Sequence, residues 1–153
     1  MFRVIPLTKD DKLCWALLPF VVERAKAFAN KYDSYAKPDE LAKIIEFNFV
    51  TGNPTVLSVA ITKKGKGVIG HAIASADSYL GTTMLTIMQY EMDEPLEPRE
   101  LYNQGWEAIL AWGRSKGATV VQGFALDEAR AERFKKFGLK RSHIVLRCDL
   151  GEA

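Results

Sequence analysis

The hydrophobic and polar positions of this chain repeat with two different periods, and the two periods predict its elements. Residues 2–7 alternate in the manner of a short strand. Apolar residues at helical spacing follow Thr8, a capping residue, and a second helical stretch opens at Pro38. Residues 55–61 and 68–74 are β-type runs on either side of a polar, lysine-rich turn. The first half therefore predicts a strand, two helices and a β-hairpin.

The stretch of residues 82–117 predicts a strand that leads through an elbow into a long helix. Residues 82–92 are apolar on both faces up to Met88, which is typical of a central strand that is covered on both sides. Pro95 and Pro98 mark the elbow because proline fits the interior of neither element. Such a junction can present backbone amides to an anionic ligand. The acidic residues of this elbow equally favour a helix that is simply well capped, so both interpretations stand.

The remaining residues predict a strand at 119–124, a short helix from about Asp127 to Phe137, and a last strand at 140–150. The complete order is β-α-α-β-β-β-α-β-α-β. We predict an α/β fold with a mixed sheet and helices on both faces, forming one domain over residues 1–153.

Composition and charge exclude several function classes. The 153 residues carry a formal net charge of +2, and 48% of them are hydrophobic. This near-neutral balance gives no indication of nucleic-acid or membrane binding. Two cysteines and two histidines show no metal-ligand spacing, so we expect no metal site. Two reduced thiols and the lack of a signal peptide favour a cytoplasmic location.

The order of elements resembles the GCN5-related N-acetyltransferase (GNAT) fold over essentially the whole chain. The resemblance depends on three features: the first strand leading into a capped helix pair, the strand GVIGHA at residues 67–72, and the segment AERFKKFGL at residues 131–139. The last of these is similar to the family's A-x-x-F-Y-x-x-x-G-F signature and is the most specific of the three.

The resemblance implies that the strand 82–92 splays from its neighbour and that acetyl-CoA, or another acyl-CoA, lies in the opening. An amine of a small molecule or a protein would be the acceptor. The cofactor-binding positions that it implies lie at the end of this strand and in the following loop: Tyr90, Met92, Arg99, Leu101 and Tyr102. Glu91 is the candidate general base, since a carboxylate in an apolar cleft can have a raised pKa, although an ordinary glutamate at a strand edge has the same pattern.

Two departures from the family pattern bear on activity. The phosphate-binding glycines would fall near Glu100 and Tyr102, and the basic position would fall on Glu97. The tyrosine that often serves as general acid is replaced by Phe134. His71, in an apolar strand, is interpreted as a core or cleft-lining residue.

Two functions therefore remain open from the sequence. The first is an acyl-CoA-dependent N-acyltransferase with an atypical phosphate loop. The second is a catalytically inactive GNAT-like protein that acts through a protein partner or as a homo-oligomer, such as an assembly component of a phage virion.

Overall fold

The computed structural model describes residues 1–32, 36–93, 99–142 and 145–151, with the side chains of residues 99–103 outside that description. Within these residues the chain forms one five-stranded sheet in the order β1-β2-β3-β4-β5. Strands β1 to β4 pair with one another in antiparallel fashion, and β5 runs parallel to β4. The strands are β1 (Phe2–Pro6), β2 (Val56–Lys63), β3 (Gly67–Tyr79), β4 (Thr82–Met92) and β5 (Val120–Gly123). The helices are α1 (Lys12–Tyr32), α2 (Pro38–Val50), α3 (Arg99–Ser115) and α4 (Glu128–Lys136). The predicted mixed sheet is confirmed.

Helices α1 and α2 cover one face of the sheet. Val21 of α1 and Ile45 of α2 are almost completely buried against Ala60 and Ile73 of the sheet. Apolar residues that recur every three or four positions place one stripe of each helix on this face. The capping residue of α1 is Asp11 rather than the predicted Thr8, because its side chain accepts a hydrogen bond from the Leu13 N–H at 2.8 Å.

Helix α3 covers the other face. Trp106 and Ile109 of α3 are buried in a second core with Leu85 and Ile87 of β4. The helix can approach the sheet closely because Gly113 faces Leu85, whose Cδ2 would lie 2.7 Å from a Cβ at this position. The strand β4 is therefore covered on both sides, as its apolar pattern predicts.

Two strand predictions differ from the structure. β3 continues to Tyr79, beyond the run predicted at residues 68–74, and the turn before β4 consists of Leu80 and Gly81 alone. Both residues have positive φ, 48° and 86°, as a tight two-residue hairpin requires.

The predicted last strand at 140–150 is not formed in the described parts of that segment, where Leu146 and Leu150 are exposed. An alternating pattern specifies which side chains share a face, whereas a strand also needs a neighbour to pair with. No helix among the described residues has the length and apolar character needed to cross a membrane.

Candidate functional site

Strands β4 and β5 separate partway along the sheet. Their pairing ends at Ile87 and Gly123, whereas β4 continues to Met92. The register with β3 also shifts here, because Ala74 pairs with Ile87 while Ile73 pairs with Gln89. Met88 is therefore the extra residue of a β-bulge, a feature that bends a strand and re-aims its side chains. The bulge lies where the two strands diverge.

The divergence opens into a cavity of about 260 Å³. Its lining comes from the end of β4, from α3, from the segment after β5, from α4 and from one residue of α1. The lining residues are Phe28, Ile87, Met88, Gln89, Tyr90, Met92, Asp93, Trp106, Phe124, Leu126, Arg130, Arg133, Phe134 and Phe137. The cavity therefore passes between β4 and α4 and reaches α1 on the far side of the sheet.

Aromatic rings form much of this lining. Trp106 stacks on Phe137 with ring centroids 4.6 Å apart. Phe134 lies over Gly123, where a Cβ would come within 2.5 Å of the phenyl Cζ. The position for which the resemblance implies a tyrosine therefore holds a ring without an O–H in the cavity wall, and this ring cannot donate a proton to a leaving group.

A buried polar network lies on the α1 face of the same strands. His71 is fully buried, and its Nε2 lies 2.7 Å from the Gln89 side-chain oxygen. Since that oxygen only accepts, Nε2 carries the proton and Nδ1 accepts from Arg24 Nε at 3.4 Å. The Gln89 amide donates in turn to the Ala25 carbonyl of α1 at 3.3 Å. The network joins α1 to β3 and to the bulged part of β4.

The environment of His71 keeps its imidazole neutral. Burial lowers the pKa of His71 to about 4, an effect that outweighs the hydrogen bond to Gln89. Both ring nitrogens also have hydrogen-bond partners. The geometry therefore makes His71 a structural residue of the interior, in line with the interpretation from sequence.

Arg24 extends the network to two carboxylates at the end of β4. Its Nη1 donates to both oxygens of Asp93 at 3.0 Å, and its Nη2 lies 3.7 Å from Glu91 Oε1. Arg24 is 17% exposed and Glu91 31% exposed, so solvent reaches the glutamate. Glu91 thus lies beside a cation rather than in the apolar cleft that the sequence hypothesis assumed. Its role as general base stays a prediction.

Helix α1 also contacts α4, across the mouth of the cavity. The Arg130 guanidinium lies 4.4 Å from the ring centroid of Tyr32, and the Lys31 ammonium lies 4.9 Å from the same centroid. Hydrogen bonding to Lys31, and then to Arg130, lowers the pKa of the Tyr32 phenol. The two helices that border the cavity are therefore in contact at its rim.

The residues that we predicted from sequence are only partly brought together. Tyr90 and Met92 line the cavity, and their role in cofactor binding stays a prediction. Glu91 lies between them in the strand and faces α1 instead. Arg99, Leu101 and Tyr102 lie in the first turns of α3, and their side chains are outside the described residues. The elbow residue Glu97 is likewise outside them.

The sequence reasoning missed the Arg24–Gln89 network and the arginines of α4. Arg24 and His71 are 47 positions apart, so only the fold brings them together. Arg130 and Arg133 have a local signal, because they stand three apart on the helix that also carries Phe134. Among the described residues no group of histidine, cysteine and acidic side chains could hold a metal ion.

Comparison with solved structures identifies the fold. No family model and no curated protein sequence matches the chain. A GCN5-related N-acetyltransferase from Ralstonia eutropha superposes with a TM-score of 0.73 at 12% identity, covering 99% of this chain and 100% of that one. A protein from Clostridium acetobutylicum that is described as a predicted acetyltransferase, solved with acetyl-CoA, gives a TM-score of 0.71 at 12% identity, covering 98% of this chain and 97% of that one. Glucosamine-6-phosphate N-acetyltransferase from Arabidopsis thaliana gives 0.66 at 11% identity, covering 99% of each chain. The chain therefore has the fold of the GCN5-related N-acetyltransferases.

Proposed function

We propose that the protein is an acyl-CoA-dependent N-acyltransferase that transfers an acetyl group, or a similar acyl group, to an amine. The observation that supports this most is the separation of β4 from β5 after Ile87 and Gly123, which opens an apolar cavity within the sheet. A sheet gains no stability from such an opening, since each lost pair forfeits backbone hydrogen bonds. The opening is better explained as a place for a ligand.

The residues around the opening fit the thin arm of an acyl-CoA. Residues 88–92 of β4 run beyond the end of the ladder with β5, and an amide-bearing chain can join such a segment as an added strand would. The walls that Trp106, Phe134 and Phe137 provide are apolar. When bound there, the thioester would supply the acyl group.

The chain's own residues then have distinct tasks. The acceptor amine must lose a proton as its nitrogen forms the new bond to the acyl carbon, and we assign that proton to Glu91, directly or through one water. Arg24 holds Glu91 and Asp93 in place through its contacts with both carboxylates. The C–S bond breaks to release a thiolate, and Phe134 offers this thiolate no proton. The thiolate is therefore protonated from solvent in this proposal.

Binding of acetyl-CoA is the direct test. The melting temperature is followed while acetyl-CoA is titrated, and a concentration a hundred times the Kd stabilises a folded protein by about 2.7 kcal/mol. A rise that saturates, together with amine-dependent release of CoA thiol, supports the proposal. An unchanged melting temperature at millimolar acetyl-CoA contradicts it.

Phe134 is the observation that favours the alternative, a GNAT-like protein without catalysis that acts through protein contacts or as an assembly component. In that case the purified chain forms an oligomer or a stable complex, visible by light scattering, and releases no thiol with any amine. A monomer that binds acetyl-CoA and turns it over removes this alternative.

A further inference from the structure

Helix α4 brings positive charge to the cavity as well as aromatic rings. Arg130 and Arg133 are three positions apart, so they lie on the same side of the helix, and both line the cavity. Phe134, the neighbour of Arg133, belongs to the same lining. In the proposed function this ring borders the leaving thiolate. The two arginines therefore lie beside the reacting end of the acyl donor, where the acceptor amine must also bind.

The carboxylates around the mouth of the cavity already have arginine partners. Arg24 pairs with Asp93, and its other nitrogen lies 3.7 Å from Glu91. Arg130 pairs with Asp127 at the start of α4. These contacts neutralise the negative charge that an incoming molecule would otherwise meet.

Positive charge exceeds negative charge among the described residues of this mouth. Arg133 is exposed and forms no hydrogen bond or ion pair within the part of the chain that the structure describes. On the α1 side, the Lys31 ammonium lies over the ring of Tyr32. The mouth can therefore accept a molecule that carries one negative charge.

The proposed general base lies at the same mouth. Glu91 is close enough to Tyr32 for its charge to act on the phenol, and the Arg130 guanidinium lies 4.4 Å from the centroid of the Tyr32 ring. A small molecule with its amine at Glu91 can thus extend its other end toward the arginines of α4.

We propose that the acceptor is a small amine that also carries a carboxylate, and that this carboxylate binds Arg133, with Arg130 beside it. This inference rests on the proposed function. The planar fork of a guanidinium donates two parallel hydrogen bonds to a carboxylate. A carboxylate carries a single negative charge, which matches one arginine without an anionic partner, whereas a phosphate monoester carries about 1.5 to 2 at neutral pH.

The test compares acceptors that are matched in length and differ in the group at the far end. Free glycine, β-alanine and γ-aminobutyrate carry a carboxylate there, their carboxamides carry no charge, and diaminopropane carries a second ammonium. The kcat/KM for release of CoA thiol from acetyl-CoA is measured with each compound. In at least one pair we expect the acid to exceed its carboxamide by about 10-fold or more, as a charge-assisted hydrogen bond predicts. Diaminopropane should be the poorest acceptor.

Two variants of α4 then test the residue itself. Arg133→Gln should reduce the preference for the acid to less than about 2-fold, chiefly by raising the KM of the acid, because the lost contact is a binding contact. Lys136→Gln removes a charge from the same helix that does not line the cavity, and it should keep the preference. Arg133→Lys should keep part of it, since the charge stays and the fork is lost. Both positions are exposed, so all three variants should melt close to the wild type.

The outcomes separate this inference from the proposed function. If the wild type acetylates the carboxamides or diaminopropane as well as the acids, the inference is wrong while the proposed function stands. A preference that survives in Arg133→Gln, or that falls equally in Lys136→Gln, contradicts the inference in the same way. It is also wrong if acetyl-CoA raises the melting temperature but none of the acids is acetylated. If acetyl-CoA leaves the melting temperature unchanged, the proposed function fails and this inference fails with it.

Discussion

The two walls of the cavity are built in different ways. The wall formed by β4 and α1 is an interior wall, in which Gln89 is buried and hydrogen-bonded to His71 of β3 and to α1. The wall formed by α4 is an outer wall, and none of the residues of this helix is fully buried. It rests on the sheet and on α3 through the half-buried rings of Phe134 and Phe137.

This difference assigns different tasks to the two walls. Buried, fully satisfied polar groups specify one geometry, and the carboxylates at the end of β4 take their positions from Arg24, which the interior wall orients. Elements with few buried contacts open at lower free energy, and α4 is such an element. The interior wall therefore fixes the chemical groups, whereas α4 can adjust to a ligand.

The largest effect that we predict is on catalysis at the interior wall. Glu91→Gln should lower kcat at least about 10²-fold, since general base catalysis contributes at least this factor. Asp93→Asn is the matched control, because Asp93 also pairs with Arg24 but has no proposed proton to accept. Steady-state rates with a saturating amine give the kcat of both variants for this comparison. Equal losses in the two variants would show that Glu91 acts only through the charge balance around Arg24.

The second largest effect that we predict is a pH dependence of the free energy of unfolding, which only the interior wall should show. Burial lowers the pKa of His71 to about 4, whereas an unfolded histidine titrates near 6.5. The unfolded chain therefore binds a proton that the folded chain rejects, and stability that is complete above pH 6.5 is lost as the pH falls toward 4. The loss amounts to about 3 kcal/mol.

The charged groups that face His71 are Arg24 of α1 and Asp93 after β4. Since carboxyl groups in general titrate in the same range, the measurement is the difference between the wild type and His71→Asn in urea unfolding at pH 7 and pH 4. The wild type should lose about 3 kcal/mol more than the variant. Equal losses would mean that His71 is not kept neutral by the fold.

The sequence predicted some parts of the structure better than others. Helical and strand periods predicted the helix pair, the hairpin and β4, because burial of one face is a local property of spacing. Tyr90 and Met92, which the resemblance implied at the end of β4, line the opening, and their role in cofactor binding stays a prediction. The bulge at Met88 has no local signal, because an extra residue in one strand shows only against its partner.

The interior network was missed and the last strand was predicted wrongly, and the reasons differ. Arg24, His71 and Gln89 come from three elements, so their hydrogen bonds depend on how α1 crosses the sheet. Residues 140–150 alternate in sequence, yet strand pairing depends on a neighbouring edge that no periodicity specifies. Local patterns therefore predict elements well, whereas contacts between elements need the fold.

A smaller difference between the two walls should appear in the free energy of unfolding of two matched glycine variants. A Cβ at Gly70 would lie 2.8 Å from the Glu91 carbonyl and 3.3 Å from Ile61 Cβ. The backbone of the interior wall must therefore shift to accept it. Gly70→Ala should lower the free energy of unfolding by about 2 kcal/mol. A Cβ at Gly123 would meet only the Phe134 ring, which α4 can move, and Gly123→Ala should cost about 1 kcal/mol.

Urea unfolding at pH 7 compares these two variants, and equal losses would contradict the distinction between a fixed and an adjustable wall. Gly123→Ala should in addition weaken acetyl-CoA binding, because the displaced ring enters the cavity.

The smallest effect that we predict is a gain of activity at the outer wall. Phe134→Tyr adds a hydroxyl on the ring carbon that now lies over Gly123, so the ring must shift slightly before the hydroxyl reaches the opening. An adjustable wall permits this shift, and a proton donor near the leaving thiolate should raise kcat a few-fold, well below the factor of about 10² that a fully aligned acid contributes. The gain should disappear at high pH, where the phenol near pKa 10 is deprotonated.

Phe137→Tyr is the control, because it adds the same group to the same helix face away from Gly123. A fall in kcat for Phe134→Tyr with unchanged acetyl-CoA affinity would show that this wall is as rigid as the interior one.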